Sequence, residues 1–343
     1  MIAEADFGEF LKRLVAGHML DAAEAAAAFG AIMAGEVSQV RMAAFLTALA
    51  MRGPTVEEIV GAAQAMRAAM KTVRAPRNAI DLCGTGSDGH GTVNISTATA
   101  LVAAACGVPV AKHGNRSASS RTGTADVLET LGVKIDVPPA VAEDCLREIG
   151  FCFLFAPTYH TAMKHVAPVR KELGFRTIFN LLGPLSNPAQ VKRQLLGVFA
   201  AEWVEPLARV LKDLGTQKAW VVHGSDGLDE LTITGPTAVA ALENGRVISR
   251  VVTPEEIGVA RVSLAALKGG DAQENAAALT ALLDGAKGAF RDIVLLNSAA
   301  ALVVAEKASD LKSGAGLAAD AIDSGAARDV LARLVAATQK AAS

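Results

Sequence analysis

The sequence predicts an α/β protein in which a small all-helical N-terminal domain precedes a large α/β domain with a mostly parallel central sheet and surrounding helices. Three observations carry that expectation. Residues 1–70 show helical periodicity and helix caps only; from Ala79 onward short β-rich runs alternate with helical segments, the pattern of a parallel sheet. Between the two regimes lies a basic, Pro-containing stretch (Arg67, Lys71, Arg74, Pro76, Arg77), a candidate hinge. At 343 residues the chain accommodates two domains of about 150 residues each.

The elements follow in order. Phe7, Phe10, Leu11 and Leu14 fall at i, i+3, i+4 and i+7, one apolar stripe of a first helix. Asp21 with Glu24, and Thr55 with Glu58 after a Gly53-Pro54 break, have capping-box spacing and start two more. Strands are expected at 79–83, 108–112, 151–155, 195–199 and 218–223, with helices between them, including one at 95–106. The tail, 315–342, reads as amphipathic helix. In open sheets of this kind ligands gather beyond the carboxyl ends of the strands, so the loops after these runs are where chemistry is to be sought.

Composition removes several functions. Thirty-three Lys and Arg against 35 Asp and Glu leave a net charge of −2, so no global basic field holds a nucleic-acid backbone. Aromatic residues, at 4%, are too sparse for a row of base-stacking platforms. Apolar content of 51% excludes disorder. No run reaches the ~20 apolar residues of a bilayer crossing; the longest, 98–111, contains Gly107 and Pro109. Glu4, Asp6 and Glu9 stand where a secretory signal needs a basic head, and Cys83, Cys106, Cys145 and Cys152 form no C-x-x-C pair. The expected location is the cytoplasm, with reduced thiols.

Three loops carry the chemistry. The first, GTGSDGHGTVNIST (84–97), joins a strand to a helix. Its glycines (Gly84, Gly86, Gly89, Gly91) permit close backbone approach, and the helix start offers unpaired N–H groups to an anion, which makes it a phosphate cradle. It is not a dinucleotide fingerprint, because the next strand delivers Lys112 where an acid about 20 residues on is required, and no Lys-Ser or Lys-Thr pair makes it a Walker loop. Asp88 inside it would repel phosphate unless it meets sugar hydroxyls or a cation. The second loop, KHGNRSASS (112–120), adds cations and hydroxyls to the same anion site, followed by Gly123-Thr124 and Asp126 at a helix start. The third, Gly227-Leu228-Asp229-Glu230, brings two adjacent carboxylates suited to Mg²⁺. Together they describe a site for a metal-bound pyrophosphate on a sugar.

With these residues laid out, the chain resembles the anthranilate phosphoribosyltransferase family, which catalyses the second step of tryptophan biosynthesis. The resemblance runs nearly end to end, through the two loops above, PTYHTAMKHVAPVRKELGFRTIFNLLGPLSNP (157–188) and HGSDGLDELTITGP (223–236). It implies a nucleoside phosphorylase/phosphoribosyltransferase-like fold with boundaries at 1–74, joined by part of 165–185, and 75–343. It also implies a homodimer, phosphoribosyl pyrophosphate as cosubstrate, and Mg²⁺, two ions, as cofactor. Carried over by residue, it assigns Gly84, Ser87, Asp88, Gly89, Thr92, Asn94, Ile95, Ser96, Thr97, Lys112, His113, Gly114, Asn115, Arg116, Ser117, Ala118, Ser119, Ser120 and Thr124 to the phosphoribosyl pyrophosphate. Ser96, Asp229 and Glu230 would hold magnesium, with Lys112, Asp229 and Glu230 catalytic. Anthranilate would lie at the domain junction, with Arg170 on its carboxylate and Gly84, His113, Asn115, Pro157, His160, Gly183 and Pro184 around it; a guanidinium fork suits a carboxylate bidentately. Ser87 stands where the family usually has glycine, and Thr124 where serine is common.

The amine of an aminobenzoate is neutral with a free lone pair at pH 7, so no strong base is needed to start the reaction, and no Ser-His-Asp constellation or H-E-x-x-H spacing is present. The expected reaction is displacement at the anomeric carbon with stabilisation of the departing pyrophosphate. A pyrimidine nucleoside phosphorylase-like enzyme is the nearest alternative, but has no need of Arg170 or the Asp229-Glu230 pair. A non-catalytic nucleic-acid-binding relative of the same fold is disfavoured by the −2 balance.

Overall fold

The computed structural model describes residues 4–86, 88–116 and 122–340. Helices α1 (Glu4–Val15), α2 (Ala22–Ala34), α3 (Gln39–Arg52) and α4 (Val56–Ala68) form the N-terminal bundle. Both capping boxes are made: Glu24 N donates to Asp21 Oδ1 at 2.8 Å and Glu58 N to Thr55 Oγ1 at 3.2 Å, each acid returning a bond to its cap residue's N–H. Glu58 does more than cap, since it is fully buried, accepts from Leu20 N at 3.0 Å and pairs with Arg52. Helices α2 and α4 touch backbone to side chain, and a Cβ on Gly61 would lie 2.3 Å from Ala22 O.

Next come β1 (Ile80–Gly84), α5 (Ile95–Ala105), β2 (Val110–Gly114), α6 (Thr124–Thr130), α7 (Pro139–Ile149) and β3 (Phe151–Phe155). Three short helices, α8 (Ala156–Tyr159), α9 (Ala167–Leu173) and α10 (Phe179–Leu185), precede β4 (Arg193–Gly197), α11 (Val204–Asp213) and β5 (Lys218–Gly224). A hairpin, β6 (Thr237–Glu243) and β7 (Arg246–Val252), is followed by α12 (Ala272–Leu283), α13 (Ala289–Val304), α14 (Leu311–Asp323) and α15 (Ala326–Lys340). The sheet order is β3-β2-β1-β4-β5-β6-β7; the first five are parallel and β6 and β7 antiparallel. The order reverses at β1 and β4, whose register pairs Gly84 with Gly197, and such a switch point opens a crevice at the strands' carboxyl ends.

One core lies between the sheet and α5, α7 and α12 to α15; the other joins the opposite sheet face and α11 to the N-terminal bundle. Val166, Val169, Phe179, Leu182 and Leu185, from the chain around α9 and α10, belong to this second core. The stretch expected to act as a hinge is docked at several points: Arg67 Nε donates to Leu185 O at 2.7 Å, Lys71 N to Tyr159 O at 2.9 Å and Val73 N to Pro188 O at 3.0 Å. Three expectations shift. The second strand runs Val110–Gly114, two residues later than 108–112, because Pro109 has no N–H to give to a ladder. The fourth strand begins two residues earlier than 195, because Arg193 and Gln194 find partners inside the fold at Ala305 O and Pro184 O and so need no solvent. The tail is two helices, broken at Ser324 and Gly325, the latter in the left-handed region (φ 78°).

Candidate active site

The three loops converge on one cleft of about 720 Å³ beyond the carboxyl ends of β1, β2 and β5, walled on the far side by α8, α9 and α10. Asp229 lines it beside the glycine-rich loop. Its carboxylate accepts from Gly86 N at 2.7 Å, across 143 residues of sequence, and its main chain lies over the ends of β1 and β4. A Cβ on Gly84 would sit 2.2 Å from Asp229 Oδ2, and one on Gly197 1.5 Å from Asp229 O. The paired glycines at the switch point are therefore the space into which the acidic loop fits. Glu230 lines the same cleft and takes a backbone hydrogen bond from Ser96 in the first turn of α5.

Lys112 lies beneath these acids and is 1% exposed; its Nζ donates to Leu82 O at 2.5 Å and to Ser96 Oγ at 3.2 Å. Two of its three donors are thus spent inside the protein, and it acts as a fixed charge under the cleft. Burial, with the Asp88 charge next, raises the Asp229 carboxyl; burial, with the Asp229 charge next, raises that of Glu230. Asp81, fully buried on β1, is also raised by burial; it accepts from His113 N at 3.0 Å, holding β2 in place. Such a surplus of desolvated carboxylate, with Lys112 nearest, fits a hard divalent cation. No group of three or more His, Cys, Asp and Glu side chains that could hold a metal is found among the described residues, and Mg²⁺ needs only one or two protein carboxylates alongside phosphate oxygens and water.

At the other end of the cleft, His113 and His160 stand with ring centroids 5.1 Å apart. His113 Nδ1 is 3.2 Å from Gly183 O, an acceptor only, so Nδ1 carries the proton and the buried, unpartnered Nε2 is bare. His160 Nε2 is likewise buried without a partner among the described residues, the ring donating instead to the Ser186 main chain. Burial depresses His113 to about 3, with the charge on His160 contributing, and His160 to about 4. Both rings are neutral acceptors at pH 7. Arg170 is lowered by burial, stands 5.6 Å over the Phe179 ring, and donates to Asn180 Oδ1 at 3.4 Å, which also receives Thr177 N at 3.0 Å.

Of the residues singled out in the sequence, Gly84, Asp88, Thr92, Asn94, Ile95, Ser96, Lys112, His113, Gly114, Asn115, Arg116, Thr124, Pro157, His160, Arg170, Gly183, Pro184, Asp229 and Glu230 line this cleft. Gly89 and Thr97 do not. Thr97 is fully buried and reaches the site only through Thr124 Oγ1, 3.1 Å away. Arg116 lines the wall, but its guanidinium is paired with Asp126 at 2.8 Å and Glu129 at 2.5 Å. Ser87, Ser117, Ala118, Ser119 and Ser120 lie outside the described residues. Sequence reasoning missed Met66, Thr85, Met163, Lys164 and Asn180 on the walls and Asp81 beneath them.

The family model described as "Glycosyl transferase family, helical bundle domain" matches residues 8–70, and that described as "Glycosyl transferase family, a/b domain" matches 76–328. The chain is 62% identical over 333 residues to an anthranilate phosphoribosyltransferase of Parvibaculum lavamentivorans, covering 97% of this chain and 98% of that one. It is similar to the crystal structure of anthranilate phosphoribosyltransferase from Thermus thermophilus (TM-score 0.91, 48% identity, 96% and 99% covered). The Saccharomyces cerevisiae enzyme solved in complex with PRPP and Mg is similar too (TM-score 0.91, 28% identity, 98% and 99% covered).

Proposed function

We infer that this chain, which belongs to the anthranilate phosphoribosyltransferase family, transfers the 5-phosphoribosyl group of phosphoribosyl pyrophosphate to the amine of anthranilate, releasing pyrophosphate, in tryptophan biosynthesis. We propose that it does so with the residues of this cleft in divided roles. The cradle from Gly84 to Ser96, with Asn115 and Thr124, holds the phosphoribosyl pyrophosphate. Asp229, Glu230 and Ser96 Oγ hold Mg²⁺, two ions in the full complex, which when bound would neutralise the pyrophosphate leaving group. Lys112 adds a fixed positive charge from below. The observation that carries this reading is the meeting of Asp229 with Gly86 N, which puts the acidic pair at the glycine turn.

Arg170 receives the anthranilate carboxylate at the opposite wall, and the bare Nε2 atoms of His113 and His160 face the ring's amine as acceptors. Attack needs only the amine's own lone pair. Once the new bond forms, the nitrogen becomes acidic, so a neighbour of very low basicity such as His113 suffices to take its proton. Positioning of the two substrates between the walls supplies the remainder of the rate, about 7 kcal/mol or more where the near-attack geometry is met.

We extend the proposal to a homodimer joined through the helical bundle. Val15, Met19, Val40 and Met51 leave large apolar side chains 71%, 62%, 80% and 85% exposed there, a surface that calls for a partner. No helix among the described residues is long and apolar enough to cross a membrane. The four cysteines are unbridged, in keeping with the cytoplasmic location we propose.

The test mixes the purified chain with anthranilate, phosphoribosyl pyrophosphate and Mg²⁺ and follows loss of anthranilate fluorescence. Arg170→Ala is expected to raise KM for anthranilate by about tenfold or more, the worth of a charge-assisted bond, with KM for phosphoribosyl pyrophosphate little changed. Equal effects on the two substrates would remove Arg170 from the carboxylate.

A further inference from the structure

Asn94 is the N-cap of α5, where an asparagine side chain normally accepts from the helix's own first N–H groups, yet it makes no such bond. Its Oδ1 is taken from outside: Asn275 Nδ2, at the start of α12, donates to it at 2.9 Å across 181 residues. The orientation of both amides is fixed by chemistry. Gly270 N can only donate, and it donates to Asn275 Oδ1 at 2.8 Å, so the atom Asn275 turns to Asn94 is its nitrogen. A nitrogen needs an acceptor, so Asn94 answers with oxygen. Asn94 Nδ2 is left over, without a partner among the described residues, on a residue that lines the cleft.

The frame around Asn275 is rigid. Asn275 is 3% exposed, and the helix it starts is capped by Asp271, which accepts from Gln273 N and Glu274 N. The segment before it is stitched to the glycine-rich loop by Gly269 N to Gly91 O at 2.9 Å and Val93 N to Leu267 O at 3.1 Å. Turning either amide over would break a part-buried hydrogen bond and set two donors face to face, each a loss of about 1–3 kcal/mol.

We propose that Asn275 is a positioning residue that holds the Asn94 amide with its nitrogen toward the cleft, so that Asn94 offers donors to the oxygens of an anionic sugar phosphate. The inference rests on the reading of the cleft given above. Asn275→Asp keeps the size and still accepts from Gly270 N, but its second oxygen draws Asn94 Nδ2 round and leaves Asn94 Oδ1 facing the anion.

Steady-state kinetics on the full chain, varying each substrate separately, test it. Asn275→Asp should raise KM for phosphoribosyl pyrophosphate by about tenfold to a hundredfold, with KM for anthranilate moved less than about twofold. In an Asn94→Ala background the same substitution should add less than about twofold, because its effect travels through Asn94. Asn275→Ala, which merely frees Asn94 to rotate, gives a smaller rise of the same kind should the Asp variant not fold by circular dichroism. Equal loss for both substrates, multiplying effects of the Asn94 and Asn275 changes, or an unchanged KM in folded Asn275→Asp overturns the inference. If Asn94→Ala alone leaves KM for phosphoribosyl pyrophosphate unchanged, the cradle reading itself fails and takes the inference with it.

Discussion

Two glycines with ordinary backbone angles are as constrained as any charged residue in the site. Gly84 and Gly197 are required for room, since the main chain and carboxylate of Asp229 fill the space a Cβ would take. Gly197→Ala, remote from any substrate contact, is therefore expected to lift the Asp229 loop off the sheet and cut kcat/KM by about a hundredfold, the cost of misplacing catalytic groups by about 1 Å. Fluorescence kinetics beside a thermal melt would check this, and full activity in a folded Gly197→Ala would refute the wedge. The two depressed histidines set a pH dependence. His113 and His160 bind protons in the unfolded chain near 6.5 but only at about 3 and about 4 when folded. The unfolded state thus binds more protons in that window; stability is fully present above pH about 6.5 and is lost as pH falls toward 4, by about 1.4 kcal/mol per pH unit for each ring. Denaturant melts between pH 7.5 and 4.5 should show this slope, reduced by one proton in His113→Gln. The sequence made the loop residues legible because each sits beside others of its kind. Asp81, Asn180 and Asn275 carried no such signal, because each matters only for what the fold places beside it.

At the level of elements, helix propensity and packing disagree at Gly61. Alanine is the better helix former by about 1 kcal/mol, yet its Cβ would stand 2.3 Å from Ala22 O and 2.7 Å from Ala25 Cβ. Gly61→Ala is expected to separate α2 from α4 and destabilise by a net 1–3 kcal/mol or so, seen as a lower melting temperature; an unchanged or higher one would show that the helices can part freely. The strands followed by loops of known chemistry were readable from apolar runs, and 151–155 coincides with β3. The β6–β7 hairpin was not foreseen although its turn is written plainly: Asn244 and Gly245 at φ 51° and 72° suit a tight two-residue hairpin turn. Its outer strand is almost wholly exposed and so lacks the apolar run that marked the others. Arg193 and Gln194 hid the start of β4 for the opposite reason, being polar residues satisfied indoors.

For the whole molecule, the exposed apolar side chains of α1 and α3 predict association. Val40→Asp combined with Met51→Asp should turn a dimer into a monomer by sedimentation or light scattering, while a wild-type chain that sediments as a monomer at micromolar concentration would dismiss the bundle as an interface. The change from purely helical to alternating strand-and-helix periodicity near residue 79 was legible, but the two cores were not, because the bundle shares its core with strands and α11; that part of 165–185 joins the bundle was implied by the family resemblance alone, since the short apolar stretches of α9 and α10 fit either core. The stitching of Gly91 and Val93 to Leu267 and Gly269 bears on synthesis. The glycine-rich loop leaves the ribosome long before its buttress, for 181 residues separate Asn94 from Asn275. At about 5–20 residues per second, roughly ten to forty seconds pass in which a nascent chain already carries the loop but cannot yet give it its final shape. Competence for the cosubstrate thus arrives late in translation, and fragments that end before α12 are born without it.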